Sequence, residues 1–440
     1  MEPFNKTSFE ALAEKFLGSG FPRHLAGALS MPELPPDARD VILRVLRLMK
    51  RSGYPLADFN PVLIRWLAST IPGILPSAWG GNIPPITVPG RHRKLDGYIA
   101  GQDFPASSGQ RTFVDIGCGF PPVTTADTAY RLPDWQIYGV DRSFADYVLY
   151  DTNGHYACFN GKGEFLYFQP STGAGGKALY SAPGRTKERF RQLFAALFPL
   201  LRNADLLSSE TVERDGNRLI HNHITDFGTA NLKFIESDIM DLEPIPATAV
   251  RCMNVLMYFT RDIQNEMLGR IGQHLENGGL LIGGTNSFGI QARYAVYKKD
   301  DDNLVPGEFA FSLDNLGHLA IMPWFTIHDN DPETALLAEL SRTIRSFPPF
   351  WAPFSRHLDQ LLEYHGFCRR GADGFLYFPE EMMLPDVFLE KNALLWREMQ
   401  EKGYGEGAVD TLGKAGYYAW INPAGDIAIR PPDGTFVWPG

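Results

Sequence analysis

Cysteine is scarce in this chain. Four residues, Cys118, Cys158, Cys252 and Cys368, are scattered over 440 positions, and none forms a CxxC pair. Neither a zinc knuckle nor a disulfide scaffold is indicated, and the four read as reduced thiols of a cytoplasmic protein. Long apolar runs are missing too. No stretch approaches the ~18 uninterrupted apolar residues of a membrane span, and the N-terminus carries Glu2, Glu10 and Glu14 where a secretory signal has its apolar core. Basic excess is absent: 41 Lys and Arg against 51 Asp and Glu leave a formal charge of −10. That argues against nucleic acid or an anionic membrane as the partner. Apolar residues are plentiful, at 44% with 12% aromatics, enough for a sizeable core. Gly 43 and Pro 33 predict many turns, and about 150 residues per domain gives two or three domains.

Residues 1–98 read as a helical N-terminal subdomain broken by prolines. Phe9, Leu12, Ala13, Phe16 and Leu17 recur at helical spacing, as do Val41, Ile42, Val45, Leu46 and Met49, and then Val62, Leu63, Trp66 and Leu67. Residues 80–95 read as a linker. From Arg111 short apolar runs take over: Thr112–Ile116, Gln136–Asp141, Leu232–Asp238, Thr248–Asn254 and Gly279–Gly284. Helical stretches separate several of them, which implies a parallel α/β sheet with right-handed crossovers. A core over 99–320 is predicted, with a β-rich insertion at about 145–230. Asn-Gly, Gly-Lys-Gly and Asp215-Gly216 mark hairpin turns there. Residues 321–440 are predicted as a C-terminal helical and β-hairpin extension. Tyr156 to Gly163 weakly echoes Tyr418 to Gly425, which two unrelated hairpins explain as well as a duplication does.

The most informative segment is Val114-Asp115-Ile116-Gly117-Cys118-Gly119-Phe120. Glycines after a strand permit a tight turn and close backbone approach to a ligand. A GxG alone also fits an ordinary strand–helix turn. Here an acid precedes it, a second acid, Asp141, ends the next strand, and a third, Asp238, ends the one after. Ligands in parallel sheets sit outside the carboxyl ends of the strands, and a carboxylate at Asp141 can accept both hydroxyls of a ribose.

Asp115-Ile-Gly117-Cys-Gly119 resembles the first motif of class I S-adenosylmethionine-dependent methyltransferases. The resemblance implies a Rossmann-like seven-stranded sheet with its last strand antiparallel and S-adenosyl-L-methionine lying across the strand ends. It implies that Asp115, Gly117, Cys118 and Gly119 line the methionine half, that Asp141 with Arg142 holds the ribose, and that Ser237, Asp238 and Ile239 flank the adenine. Pro121 stands where that family usually has a third glycine, and Pro121-Pro122 suits the first turn of the following helix. A narrower stretch, Met253-Asn254-Val255-Leu256-Met257-Tyr258-Phe259, then Gln264, then Leu275 to Gly283, is similar to the chemotaxis-receptor glutamate methyltransferases. That family usually has arginine where this chain has Met253.

Asn254, at a strand end, is the expected substrate-side and cofactor-side polar group. Tyr258 is read either as its neighbour at the reacting methyl or as a core aromatic. His223 is carried as a candidate base, although His221-Asn222-His223 reads first as a polar, solvated strand. No third ligand lies nearby, so no metal site is expected. Arg91-His92-Arg93-Lys94 and the basic residues of 185–191 read as solvated faces, the alternative being an anion-recognising edge. Tyr98 is placed over the cofactor by position alone. The expected function is methyl transfer to an O or N atom of a small molecule or peptide, yielding S-adenosyl-L-homocysteine. A protein carboxylate acceptor, or a non-catalytic cofactor-binding scaffold, is the alternative.

Overall fold

The computed structural model describes residues 35–58, 71–82, 87–105, 109–169, 183–201, 208–287, 289–301, 303–320, 322–328, 331–372, 374–379 and 385–431. The helical stripes predicted at 9–17 and 62–67 lie outside them. The stripe at 41–49 forms α1 (Pro36–Arg51), with Pro36 in its first turn and Lys50 and Arg51 in its last, each where proline, or a cation facing the helix dipole, is favoured. Its five apolar positions are all buried.

After α2 (Arg93–Ala100) come β1 (Thr112–Ile116), α3 (Val123–Arg131) and β2 (Gln136–Asp141). The insertion follows, with β3 (Tyr147–Tyr150), β4 (Tyr156–Phe159), β5 (Phe165–Gln169), α4 (Pro183–Leu197), β6 (Glu210–Arg214) and β7 (Asn217–His221). These five strands form their own antiparallel sheet in the order β5-β4-β3-β7-β6. The Asp215-Gly216 turn has positive φ at both residues, as a tight hairpin requires. The sheet and α4 share an aromatic core that includes Phe159, Phe168 and Phe190. The insertion leaves and rejoins the main sheet at one place, where the Asn222 N–H donates to the Asp146 carbonyl at 2.8 Å.

The chain then returns through β8 (Leu232–Glu236), β9 (Ala247–Met253), α5 (Arg261–His274), β10 (Leu275–Ser287), β11 (Ile290–Asp300) and β12 (Asn303–Phe311). It continues with α6 (Pro332–Arg345), α7 (Pro348–Tyr364), the short strands β13 (Arg369–Arg370) and β14 (Leu376–Tyr377), α8 (Pro385–Glu401), α9 (Tyr404–Lys414), β15 (Ala419–Ile421) and β16 (Ile427–Ile429). The main sheet has nine strands in the order β15-β16-β12-β11-β10-β9-β1-β2-β8. From β10 to β8 neighbours are parallel; from β10 to β15 they are antiparallel.

The architecture is the expected α/β one with a mostly parallel central sheet, but seven strands become nine. The C-terminal hairpin β15–β16 covers the free edge of β12 and removes an exposed ladder of unpaired backbone groups. The antiparallel direction enters with β11, directly after the fifth parallel strand, because β10, β11 and β12 run as a meander.

One face of the sheet is packed by α2 and α3 through Leu95, Ile99 and Ala129, and the other by α5 through Met267 and Ile271. α1 shares a third core with α6 to α9 and with Phe309, Phe311, Ile427 and Ile429. The structure thus joins α1 to the C-terminal helices and α2 to the sheet, across the segments that the sequence reading separated. The echo between 156–163 and 418–425 is a shared turn: the Asn160 side chain accepts from the Lys162 and Glu164 N–H groups, and Asn422 does the same for Ala424 and Asp426. No described helix is long and apolar enough to cross a membrane.

Candidate functional site

The carboxyl ends of β1, β2, β8, β9 and β10 open on one cleft of about 600 Å³. Its floor is the bend after β1. Gly117 and Gly119 both have φ of +70°, a conformation that glycine adopts without penalty. A Cβ at Gly117 would sit 2.2 Å from the Val255 side chain, so no other residue fits there. The N–H groups of Gly117 and Cys118 donate to the Val140 carbonyl at 2.8 and 3.1 Å. That leaves the bend bare and fixed toward the cleft. Pro122 caps α3, which starts at Val123, one residue past the two prolines expected to open it.

Asp141 ends β2 beside this bend. Its carboxylate accepts from the Gly119 N–H at 2.8 Å and from the N–H groups of Ser143 and Arg142. Burial raises its pKa, and these donors counter the rise only in part. Ser237, Asp238 and Ile239 follow β8 and line the same cleft. The Ser237 N–H donates to the Asp141 carbonyl at 2.9 Å, and the Asp238 carboxylate accepts from the Met240 N–H at 3.0 Å. Arg142 lines the rim and is exposed. Cys118 contributes backbone to the floor, while burial pushes its thiol well up.

Asn254 follows β9 with φ of +60°. Its N–H donates to the Gly284 carbonyl at 2.8 Å and its Oδ1 accepts from the Asn286 N–H at 2.9 Å. These bonds tie β9 to β10, and the amide Nδ2 makes no hydrogen bond among the described residues. Tyr258 closes a 3-10 turn, Leu256–Tyr258, and lines the cleft. Burial pushes its phenol up to about 12, against the pull of the nearby Arg91 guanidinium, so it is protonated at neutral pH.

Two expectations, for His223 and Tyr98, need correction. Asp115 lines the cleft as expected, and both of its carboxylate oxygens already accept hydrogen bonds. Oδ1 accepts from Arg251 Nε at 3.0 Å, and Oδ2 from Arg251 Nη2 at 2.6 Å and from the Thr125 hydroxyl at 2.6 Å. Arg251, on β9, is fully buried and reaches Asp96 of α2 at 2.7 Å as well. His223 does not line the cleft. Strand β7 stops at His221, Asn222 turns with φ of +50°, and His223 opens a 3-10 turn. Its Nδ1 lies 2.7 Å from Asp226 Oδ2, and its ring packs against Phe120 and Phe227, so the insertion core and not the cleft uses it. Tyr98 lies in the core between α2 and the sheet, its hydroxyl bonded to Glu308.

Two further residues line the cleft, Arg91 and His92, from the run expected to be a solvated face or an anion-recognising edge. Of the four basic positions there, Arg93 and Lys94 are exposed as expected, whereas Arg91 is half-buried and His92 buried. Burial pushes Arg91 down to about 10, which leaves it a cation at neutral pH. The insertion adds Leu166 and Tyr167 as one wall. Ile74, Met257, Met322 and Phe325 add apolar lining.

No protein-family model matches the chain, and no curated protein does. Among solved structures it is similar to the N-methyltransferase NodS from Bradyrhizobium japonicum in complex with S-adenosyl-L-homocysteine, at 12% identity over 44% of this chain and 59% of that one, with a TM-score of 0.20. It is also similar to an S-adenosylmethionine-dependent methyltransferase from Clostridium acetobutylicum, at 11% identity over 50% and 66% with a TM-score of 0.21. A third is an O-methyltransferase family 2 protein from Planctomyces limnophilus in complex with apigenin, at 12% over 65% and 79% with a TM-score of 0.25. The chain spans less than two thirds of the first two. At these scores the likeness transfers no residue role to this chain.

Proposed function

We propose that the chain is an S-adenosyl-L-methionine-dependent methyltransferase that alkylates an O or N atom of a small-molecule or peptide acceptor and releases S-adenosyl-L-homocysteine. One observation carries this reading. The bare Gly117–Gly119 bend, the Asp141 carboxylate and the Ser237–Ile239 segment come from three successive strand ends and face one cleft.

The fit to the donor rests on that cradle. Asp141 would accept the ribose hydroxyls, its position held by three backbone N–H groups. Ser237, Asp238 and Ile239 would flank the adenine. The backbone of 117–119 would lie along the methionine half, where any side chain at 117 collides with Val255. When bound, the cofactor supplies a methyl group already activated by its cationic sulfur. The protein is left to align the acceptor and exclude water, and alignment alone is worth about 7–11 kcal/mol in well-oriented systems.

Asn254 and Tyr258 stand on the acceptor side. A phenol held at about 12 donates a hydrogen bond and takes no proton at neutral pH. The acceptor therefore needs to arrive with its lone pair free, as a carboxylate or a neutral amine does. Arg91 beside Tyr258 favours an acidic acceptor as a second reading, including a protein carboxylate. Methyl label that is released from protein by mild base would support it, and label found only on a small product would end it.

Titration calorimetry with S-adenosylhomocysteine tests the main reading. Wild-type protein should bind, and Asp141→Ala should lose about 10- to 100-fold in affinity, as expected for removing a charged hydrogen-bonding group, with its melting curve still cooperative. Unchanged affinity would refute the ribose assignment.

A further inference from the structure

We propose that His92 binds the amino-acid head of the cofactor, its imidazole accepting a hydrogen bond from the α-ammonium in place of the strand-end acid Asp115. The inference rests on the methyltransferase reading above and adds a residue that neither the motifs nor the fold assigns.

Three observations lead to it. First, His92 lines the cleft together with Asp115, Gly117 and Thr124. It is only 7% exposed, and its Nδ1 has no hydrogen-bond partner among the described residues. A buried polar atom without a partner is rare in folded proteins because it forfeits its hydration. A ligand group arriving at that point would complete it. Second, the strand-end acid on this side of the cleft is already hydrogen-bonded. Arg251 and Thr125 supply three donors to Asp115 at 2.6 to 3.0 Å, and Arg251 also bonds Asp96 at 2.7 Å. Asp115 is the carboxylate that lines this side of the cleft, and both of its oxygens already accept hydrogen bonds. Third, His92 and Arg91 are adjacent in the chain and line one cleft, so a zwitterionic head would find a cation for its carboxylate next to the acceptor for its ammonium.

The ring is in the correct protonation state for this role. Burial, and then the Arg251 and Arg91 charges, hold its pKa well below the usual histidine value. The imidazole is therefore neutral and keeps an acceptor nitrogen.

The experiment compares two ligands that differ in the head alone. S-adenosylhomocysteine carries the amino-acid group, and 5′-methylthioadenosine lacks it. Both are titrated calorimetrically into wild-type protein, His92→Ala and His92→Asn, with melting curves for each. Asparagine keeps a polar acceptor near the position of Nδ1. His92→Ala should bind S-adenosylhomocysteine at least about tenfold more weakly and 5′-methylthioadenosine as wild type does. His92→Asn should recover most of the loss. If the alanine variant fails to fold, His92→Phe, which fills the volume without an acceptor, takes its place against His92→Asn with the same expectation. Unchanged affinity for S-adenosylhomocysteine overturns the proposal, as does an equal loss for both ligands, which marks a purely structural histidine. Wild-type protein that binds neither ligand overturns the methyltransferase reading, and this proposal with it.

Discussion

At the scale of single residues, the decisive one is Arg251. It lies in the middle of an apolar strand, fully buried, and joins Asp96 of α2 to Asp115 of β1. Such an arrangement is a weak net stabiliser, but breaking it is expensive because the remaining charges stay buried. Arg251→Met should therefore destabilise the fold by about 3–5 kcal/mol, read by denaturant unfolding. The deficit has a definite pH dependence. Without the guanidinium, Asp96, whose pKa burial already raises, loses the cation that opposes the rise and is left beside the charge of Asp115. Groups raised in this way are tolerated when protonated and lose stability as pH climbs through the raised values. The variant should sit nearest to wild type in acid and furthest from it at neutral pH. A deficit that does not change with pH would show that the two acids do not depend on Arg251.

At the scale of elements, a second buried ion cluster joins the helical layer. His318 Nδ1 lies 2.7 Å from Asp58 and Nε2 lies 3.2 Å from Asp359, while Arg370, at the start of the β13–β14 hairpin, reaches both acids at 2.6 to 2.8 Å. Burial alone would push His318 down, but Asp58 and Asp359 outweigh it and its pKa is raised above 6.5. Burial likewise opposes ionisation of Asp58, yet His318 and Arg370 bring it down from 3.8 to about 2. The signs are opposite. The histidine's contribution is complete below its unfolded value of about 6.5 and is lost as pH rises through the raised one; the aspartate's is complete above about 3.8 and is lost as pH falls toward about 2. Wild-type melting temperature should decline from pH 6.5 upward, with His318→Gln lower overall and flatter over the same range. Parallel curves would show that His318 is not the titrating group.

Elements were also what the sequence disclosed best. Short apolar runs that end in a polar residue or a glycine bend announced β1, β2, β8 and β9, because the buried positions of a strand are apolar and its ends are not. The insertion hairpins were legible from Asn-Gly and Asp-Gly turns. Partnerships between distant segments were not. Arg251 sits 136 residues from Asp115, and no local spacing pairs them. His92 and Arg91 looked like part of a solvated basic run, since which members of such a run are buried depends on how α2 meets the sheet. His223 looked like a strand residue because nothing in its neighbours revealed the turn at Asn222.

At the scale of the whole molecule, the chain's last described strands complete a structure begun much earlier. β16 pairs with β12 through Phe309, Ala310 and Phe311. The turn between β15 and β16 delivers buried groups to earlier parts of the chain: Asp426 meets Lys94 at 3.2 Å and the Tyr294 hydroxyl at 3.0 Å, and Asn422 donates to Glu308 at 2.9 Å. Removing residues 417–440 should lower the melting temperature and promote association through the uncovered β12 edge, measured by light scattering. A truncated chain that stays monomeric with wild-type melting would show that the hairpin is dispensable.

This closure has a consequence for how the protein comes to life on the ribosome. Lys94 is translated 332 residues before the aspartate that grips it, and it stands two positions after His92. The helix that follows the cleft's histidine lacks this clasp until β15 and β16 have been made. A nascent chain arrested short of β15 should bind S-adenosylhomocysteine more weakly than one that extends past β16, so that competence arrives with this hairpin.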